Sequence, residues 1–305
     1  MGLPRDCQEI LASANVKPYR LPETKMPRTK ESGAGPDGIL KRTLRILEIL
    51  ANHPGGMPFY EVADAIKIPR SATHRLLASL VEEGYVRQDR DFGSYVLTAR
   101  IASLGLRYLQ GHGITDLMQP VLDRLAGECG ELVRVAILDE DRLVFVAKAQ
   151  GARGGLRYDP EAGQEAKLSC SSSGLAWLST MSDEEALVKI DQQGYGSREE
   201  YGPNAPQTPQ AVRKRLREAR MLGYVVTLQT FSQWMNAIAA PIRASIDGRV
   251  TGTISIAGPY IRLTEERIQQ IAPLLVAGAQ ELGQLSPTVR LPAEKPGEPR
   301  PNIFA

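Results

Sequence analysis

The chain has 305 residues, of which 42% are apolar and 24% charged, and a formal net charge of +2 at pH 7. That is room for two ordinary domains, and it excludes both a wholly disordered chain and a protein that holds nucleic acid by bulk charge alone. Cys7, Cys129 and Cys170 are widely spaced with no C-x-x-C, and no run approaches the ~18 apolar residues of a membrane span, so a cytoplasmic protein without metal, cofactor or membrane anchor is expected.

Residues 1–37 carry five of the 21 prolines and 286–305 another five, and both ends read as disordered tails. Between them the first helix spans 38–52, with Leu40, Leu44, Leu47 and Leu50 at helical spacing and Pro54-Gly55-Gly56 as its stop. Lys41, Arg42 and Arg45 near its start are suited to phosphate contact. A short helix over 59–66, a break at Lys67-Ile68-Pro69 and a second helix over 70–83 follow with almost nothing between them. Residues 85–88 and 94–97 then flank Asp89-Arg90-Asp91-Phe92-Gly93, a hairpin with a five-residue loop. Helix, turn, helix and basic hairpin make a winged helix-turn-helix over 38–100.

At 100° per residue, Ala72, Leu76, Leu77, Leu80 and Val81 share one side of the second helix, and Ser71, His74, Arg75, Ala78 and Ser79 the other. The second set has the small, hydrogen-bonding and cationic groups that read base edges and phosphates in a major groove. Arg70 and Ser71 sit at the helix N-terminus, where backbone N–H groups favour a phosphate. Thr73 projects nearer the buried side. The candidate DNA-binding residues are Arg70, Ser71, Thr73, His74 and Arg75 on the helix, with Arg87 and Arg90 on the hairpin. Residues 38–100 hold nine Lys or Arg against seven Asp or Glu, so binding depends on where charge sits rather than how much there is.

A helix over 98–110, with Ile101, Leu104 and Tyr108 in register, reads as a linker that ends at Gly111-His112-Gly113. An amphipathic helix over 114–128 uses Leu117, Val121 and Leu125. Strands over 131–139 and 143–150 follow, then a glycine-rich stretch 151–163. A serine-rich turn, Lys167-Leu168-Ser169-Cys170-Ser171-Ser172-Ser173-Gly174, opens a helix. Helices over 183–192 and 208–222 precede strands over 224–230, 236–246 and 250–257, the last two turning at Asp247-Gly248. Thr264 starts a final helix to 285. Hairpin strands among helices predict an α+β domain with an antiparallel sheet over 114–285.

Three segments in this order resemble the IclR-type transcriptional regulators: Pro69-Arg70-Ser71-Ala72-Thr73-His74-Arg75-Leu76-Leu77 with Glu83-Gly84-Tyr85-Val86, then Asn236-Ala237-Ile238-Ala239-Ala240-Pro241-Ile242, then Ser255-Ile256-Ala257-Gly258-Pro259 before Arg262-Leu263-Thr264. The resemblance covers about 38–285. It implies a winged helix-turn-helix followed by a GAF-like effector-binding domain, homodimers or tetramers on a pseudo-palindromic double-stranded operator, and control by a small metabolite, often an organic or aromatic acid. Carried over by position, the effector site comprises Ser171, Ser172, Ser173 and Gly174 from the turn, faced by Met235, Asn236 and Ala237 and by Ser255 and Ala257. Ordinary helix capping is the alternative role for the serines. The chain departs from the family pattern at Ser169, Leu175, Trp234 and Ala237, which argues against importing one member's ligand. Trp234 either lines an aromatic-accepting pocket or covers a strand edge.

Two rival functions remain at this stage. All three histidines (His53, His74, His112) precede the C-terminal domain and no G-x-S-x-G occurs, so no Ser-His-Asp or Cys-His site is available there. The other rival is a DNA-binding protein whose C-terminal domain only oligomerises and binds no effector.

Overall fold

The computed structural model describes residues 38–89, 93–111, 113–160, 163–197 and 199–285. The two proline-rich tails and the hairpin tip with Arg90 lie outside the described residues. No described helix is long and apolar enough to cross a membrane.

The N-terminal region contains α1 (Ile39–Ala51), α2 (Phe59–Ile66), α3 (Arg70–Glu82) and a hairpin of β1 (Val86–Gln88) and β2 (Tyr95–Leu97). The hairpin pairs Val86 with Leu97 and Gln88 with Tyr95, and Met57 bridges to Tyr95. Its core is Ile46, Leu50, Val62, Ile66, Leu77, Leu80, Val86 and Tyr95. Each such aliphatic side chain, fully buried, contributes on the order of 2 kcal/mol. The leucine stripe read along α1 is corrected in part: Leu40 and Leu44 are exposed, and the buried residues are Ile46 and Leu50. Helical periodicity admits neighbouring stripes, and packing on α2 and α3 selects the one through Ile46.

The break after α2 is as tight as expected. Lys67 takes a left-handed conformation (φ 57°, ψ 43°), and its N–H donates to the Ala63 carbonyl at 3.1 Å. A non-glycine residue there costs about 1 kcal/mol. Pro69 then caps α3 and starts it in a new direction.

Helix α4 (Ala99–Gly111) has no buried residue, and its Leu104, Leu106 and Tyr108 are exposed. The single helix expected over 114–128 is instead a π-helical turn, Ile114–Met118, continuing into α5 (Gln119–Cys129). Pro120 lies within the first two positions of α5. It has no N–H to place in a regular ladder, which accounts for the widened turn before it.

The C-terminal region is an antiparallel sheet of β3 (Leu132–Asp139), β4 (Arg142–Gln150), β5 (Val225–Leu228), β6 (Met235–Arg243) and β7 (Val250–Pro259), in the order β4-β3-β7-β6-β5. Helix α5 and the last helix α9 (Glu265–Leu285) pack on the face formed by Val133, Val135, Ile137, Ile238 and Ile254. Helices α6 (Ser172–Leu178), α7 (Asp183–Gln193) and α8 (Pro209–Leu222) pack on the other, with Ala136, Leu138, Leu143 and Ala239. The helical region with a small hairpin and the α/β region with an antiparallel sheet are the fold read from the sequence.

Candidate functional site

On α3 the predicted polar face is exposed: Arg70, Ser71, His74, Arg75, Ala78 and Ser79 all face solvent. Among the described residues, Arg70 and Arg75 have no hydrogen bond or ion pair to hold their side chains. The His74 ring stands edge-on to Phe59 at 6.1 Å, which couples the exposed polar face of α3 to the start of α2. Arg87, on the hairpin, is 64% exposed and 3.9 Å from Asp89. Thr73 is corrected: it is fully buried, and its hydroxyl donates to the Pro69 carbonyl at 3.3 Å, so it braces the first turn and cannot touch a base. Val81, placed on the buried side, is 40% exposed.

The second candidate site lies between the sheet and α6. Gly174 makes it. A Cβ at this position would come within 2.6 Å of the Leu168 Cα and 2.7 Å of the Lys167 carbonyl oxygen, so α6 sits directly on the strand-like segment before it. Gly174 therefore spaces the site and does not line it. Ser171 is the cap of α6, its hydroxyl accepting from the Gly174 N–H at 3.0 Å, as the structural reading of the serines anticipated. Ser172 and Ser173 are buried, and the Ser173 hydroxyl has no hydrogen-bond partner.

Ser171, Ser172 and Ser173 line one wall of a partly open cavity of about 30 Å³, and Met235 and Ala237 line the facing wall. Ala257 packs with Met235 and Ala237, and the rings of Tyr158 and Phe231 rest on this small-residue floor. Ser255 lies two residues back along β7, buried with an unpartnered hydroxyl, in register with Arg134 of β3. A larger groove of about 380 Å³ runs along the outer side of α9 beside Tyr224, but it is open and presents no charged group among its lining residues. The smaller, polar cavity is the better candidate.

Asn236 is a second correction. In a strand, neighbours of Met235 and Ala237 face the other way. Asn236 accordingly accepts from the Gln229 N–H through Oδ1 and donates through Nδ2 to the Leu263 carbonyl, both at 2.9 Å. It staples β6 to two loops rather than facing the cavity. Asn236→Ala is expected to lower stability by about 1–3 kcal/mol, the cost of stranding the Leu263 carbonyl, while the Gln229 N–H keeps its bond to the Met235 carbonyl at 3.1 Å. A melting curve with no shift would overturn this role.

The sequence reading missed Arg134, Phe145, Tyr158, Lys167, Thr227 and Phe231, all of which line the cavity. Arg134 is the informative one. Its Cζ stands 3.7 Å above the Phe145 ring and 5.7 Å from the Tyr158 ring. Burial pushes its pKa below the usual guanidinium range, and no carboxylate of the described residues forms a salt bridge with it. Burial likewise pushes the Lys167 amine down, while its Nζ donates to the Gln193 carbonyl at 3.4 Å. The Cys170 thiol is pushed up to about 12 by burial, which makes it an inert space-filler. Trp234, 61% exposed, is not among the residues that line the cavity.

Known proteins match both regions. Residues 39–90 match the IclR helix-turn-helix domain, and residues 106–284 match the bacterial transcriptional regulator IclR C-terminal domain. The transcriptional repressor IclR of Escherichia coli K12 is 26% identical over 244 residues, covering 80% of this chain and 88% of the repressor. A transcriptional regulator from Rhodococcus sp. RHA1 superposes with a TM-score of 0.70 at 24% identity, over 83% of this chain and 99% of that one. An IclR homologue from Microbacterium hydrocarbonoxydans, complexed with 4-hydroxybenzoate, gives a TM-score of 0.66 at 22% identity, over 82% and 100% of the two chains.

Proposed function

This chain belongs to the IclR family of DNA-binding transcriptional regulators, and from that premise we propose that a small organic acid bound between α6 and the sheet controls its hold on an operator. It is a regulator and not an enzyme. In this reading residues 38–100 bind DNA, 101–113 link, and 114–285 sense the effector. Arg70, Ser71, His74 and Arg75 of α3 enter the major groove, and Arg87 and Arg90 of the wing meet the backbone. Ser172, Ser173, Met235, Ala237, Ser255 and Ala257 form the effector pocket. The single observation that carries the effector reading is the partly open cavity with the buried, unpartnered Arg134 Nε and Ser173 hydroxyl on its walls. The Microbacterium relative's 4-hydroxybenzoate points to the same class of ligand.

A homodimer or tetramer fits the exposed Leu104, Leu106 and Tyr108 of α4. Two recognition helices would then meet half-sites about 34 Å or a multiple apart. A second reading, in which the C-terminal region only oligomerises, draws on the small size of the cavity. Both are tested by binding the promoter fragment beside the protein's own gene, at fixed salt and with unrelated competitor DNA, while organic acids are titrated. Specific, salt-dependent binding that an acid releases is the expected result. Specific binding that no compound changes, with no ligand-induced rise in Tm, would favour the oligomerisation reading.

A further inference from the structure

We propose that Arg134 anchors the carboxylate of an aromatic acid and that the Tyr158 side chain holds the acid's ring position until it arrives. The proposal rests on reading this cavity as the effector site. A cation inside a strand that packs against helices needs a partner, because desolvation penalises an unpaired charge. Among the described residues Arg134 has no carboxylate partner: its Nε is buried without a hydrogen bond, and the neutral Tyr158 phenol is the side chain that hydrogen-bonds its guanidinium. Its planar group stacks on Phe145 at 3.7 Å, which fixes the plane from which a guanidinium receives a carboxylate in two parallel hydrogen bonds. The Ser255 hydroxyl, buried and unpartnered, sits in register beside it.

What Arg134 has instead is Tyr158. Burial raises the phenol's pKa, and the Arg134 charge acts against that rise, so the hydroxyl lies in the cation's field. The ring packs on the floor of Met235, Ala237 and Ala257 beside Phe231. With the ring there, about 30 Å³ of space is left, room for about two or three waters at roughly 10–15 Å³ each. Any aromatic acid must therefore displace this ring, and the space it inherits has the shape of one phenol. The backbone around Tyr158 does not have to move for this. Its carbonyl accepts from Gln150 Nε2 at 3.0 Å, Leu156 is held by Arg262 at 2.8 Å, and Lys148 pairs with Asp159 at 2.7 Å and the Pro160 carbonyl at 3.0 Å. Rotation of one side chain opens the site.

The test is titration calorimetry on the full-length protein with benzoate and with benzamide, its uncharged isostere. Tyr158→Ala should bind benzoate at least about tenfold more tightly than the parent, because the competing ring is gone, and should bind benzamide far more weakly than benzoate. Arg134→Gln in the Tyr158→Ala background should abolish benzoate binding, and Arg134→Lys should restore part of it. Equal affinity for benzoate and benzamide in Tyr158→Ala, or benzoate binding that survives Arg134→Gln, overturns the anchor. Benzoate affinity that does not rise in Tyr158→Ala overturns the place-holder. No benzoate binding to either protein overturns both. Operator release by a neutral compound would leave the effector reading standing while this proposal falls; a metabolite library that changes nothing would sink the reading itself.

Discussion

Arg75→Ala should weaken operator binding by about 10- to 100-fold, as loss of one bidentate base contact costs ~1–3 kcal/mol, and should leave the melting temperature unmoved. The reasoning combines periodicity with what the fold leaves open. Arg75 lies on the solvent face of α3, opposite the fully buried Leu77 and Leu80, and no described residue binds its side chain. Removing it strands nothing in the protein, so any loss belongs to the complex. Fluorescence anisotropy at one salt concentration, with specific and scrambled duplexes, separates a base contact from a phosphate contact. A base contact relaxes specificity; a phosphate contact weakens both duplexes alike and flattens the salt slope. Unchanged affinity for both would move the reading face off this side of α3. Thr73→Ala makes the control, since that side chain is buried against Pro69 and its loss should register in stability.

Gly174→Ala should cost the C-terminal region more than about 3 kcal/mol, at the upper end of overpacking because the obstacle is backbone rather than a side chain. The added methyl would stand 2.6 Å from the Leu168 Cα and 2.7 Å from the Lys167 carbonyl, and neither can swing aside. Relief requires α6 to lift off, taking with it Trp177 and Leu178 from the core below and Ser172 and Ser173 from the cavity wall. A thermal melt should therefore show a lowered transition, and what remains folded should have lost effector binding. A variant with parental Tm would mean that α6 sits more loosely than the geometry indicates. The comparison with Ser171→Ala is useful, because that change removes only the capping bond to the Gly174 N–H and should cost about 1 kcal/mol.

The architecture was legible in the chain for local reasons. Pro54-Gly55-Gly56 and Lys67-Ile68-Pro69 punctuate the N-terminal helices, and both are breaks that backbone chemistry imposes wherever they occur. Asp247-Gly248 turns β6 into β7, with Gly248 at a positive φ of 70°. The polar face of α3 followed from periodicity because a helix has one phase and Leu77 and Leu80 set it. The serine turn was recognisable by position, and Ser171, Ser172 and Ser173 do meet Met235 and Ala237 at one cavity.

The rest depended on contacts between residues far apart in the chain. That β3 pairs with β7, Arg134 opposite Ser255, brings together strands more than a hundred positions apart, and no local signal contains that pairing. Asn236 was assigned to the wrong face because a matched segment carries residues of both faces, and only the sheet's packing says which of them look into the cavity. Arg134 did leave a trace: it is the lone charge in Leu-Val-Arg-Val-Ala-Ile-Leu, residues 132–138 of an otherwise apolar strand. Its meaning came from Phe145 beneath it and Tyr158 beside it, placed there by a bulged hairpin and a loop. Backbone preference and hydrophobic period act over a few residues, so the sequence by itself determined the elements, the exposed polar face of α3 and the family. Burial of charge and the convergence of distant side chains are properties of the packed chain, and only the tertiary structure decided what lines the pocket.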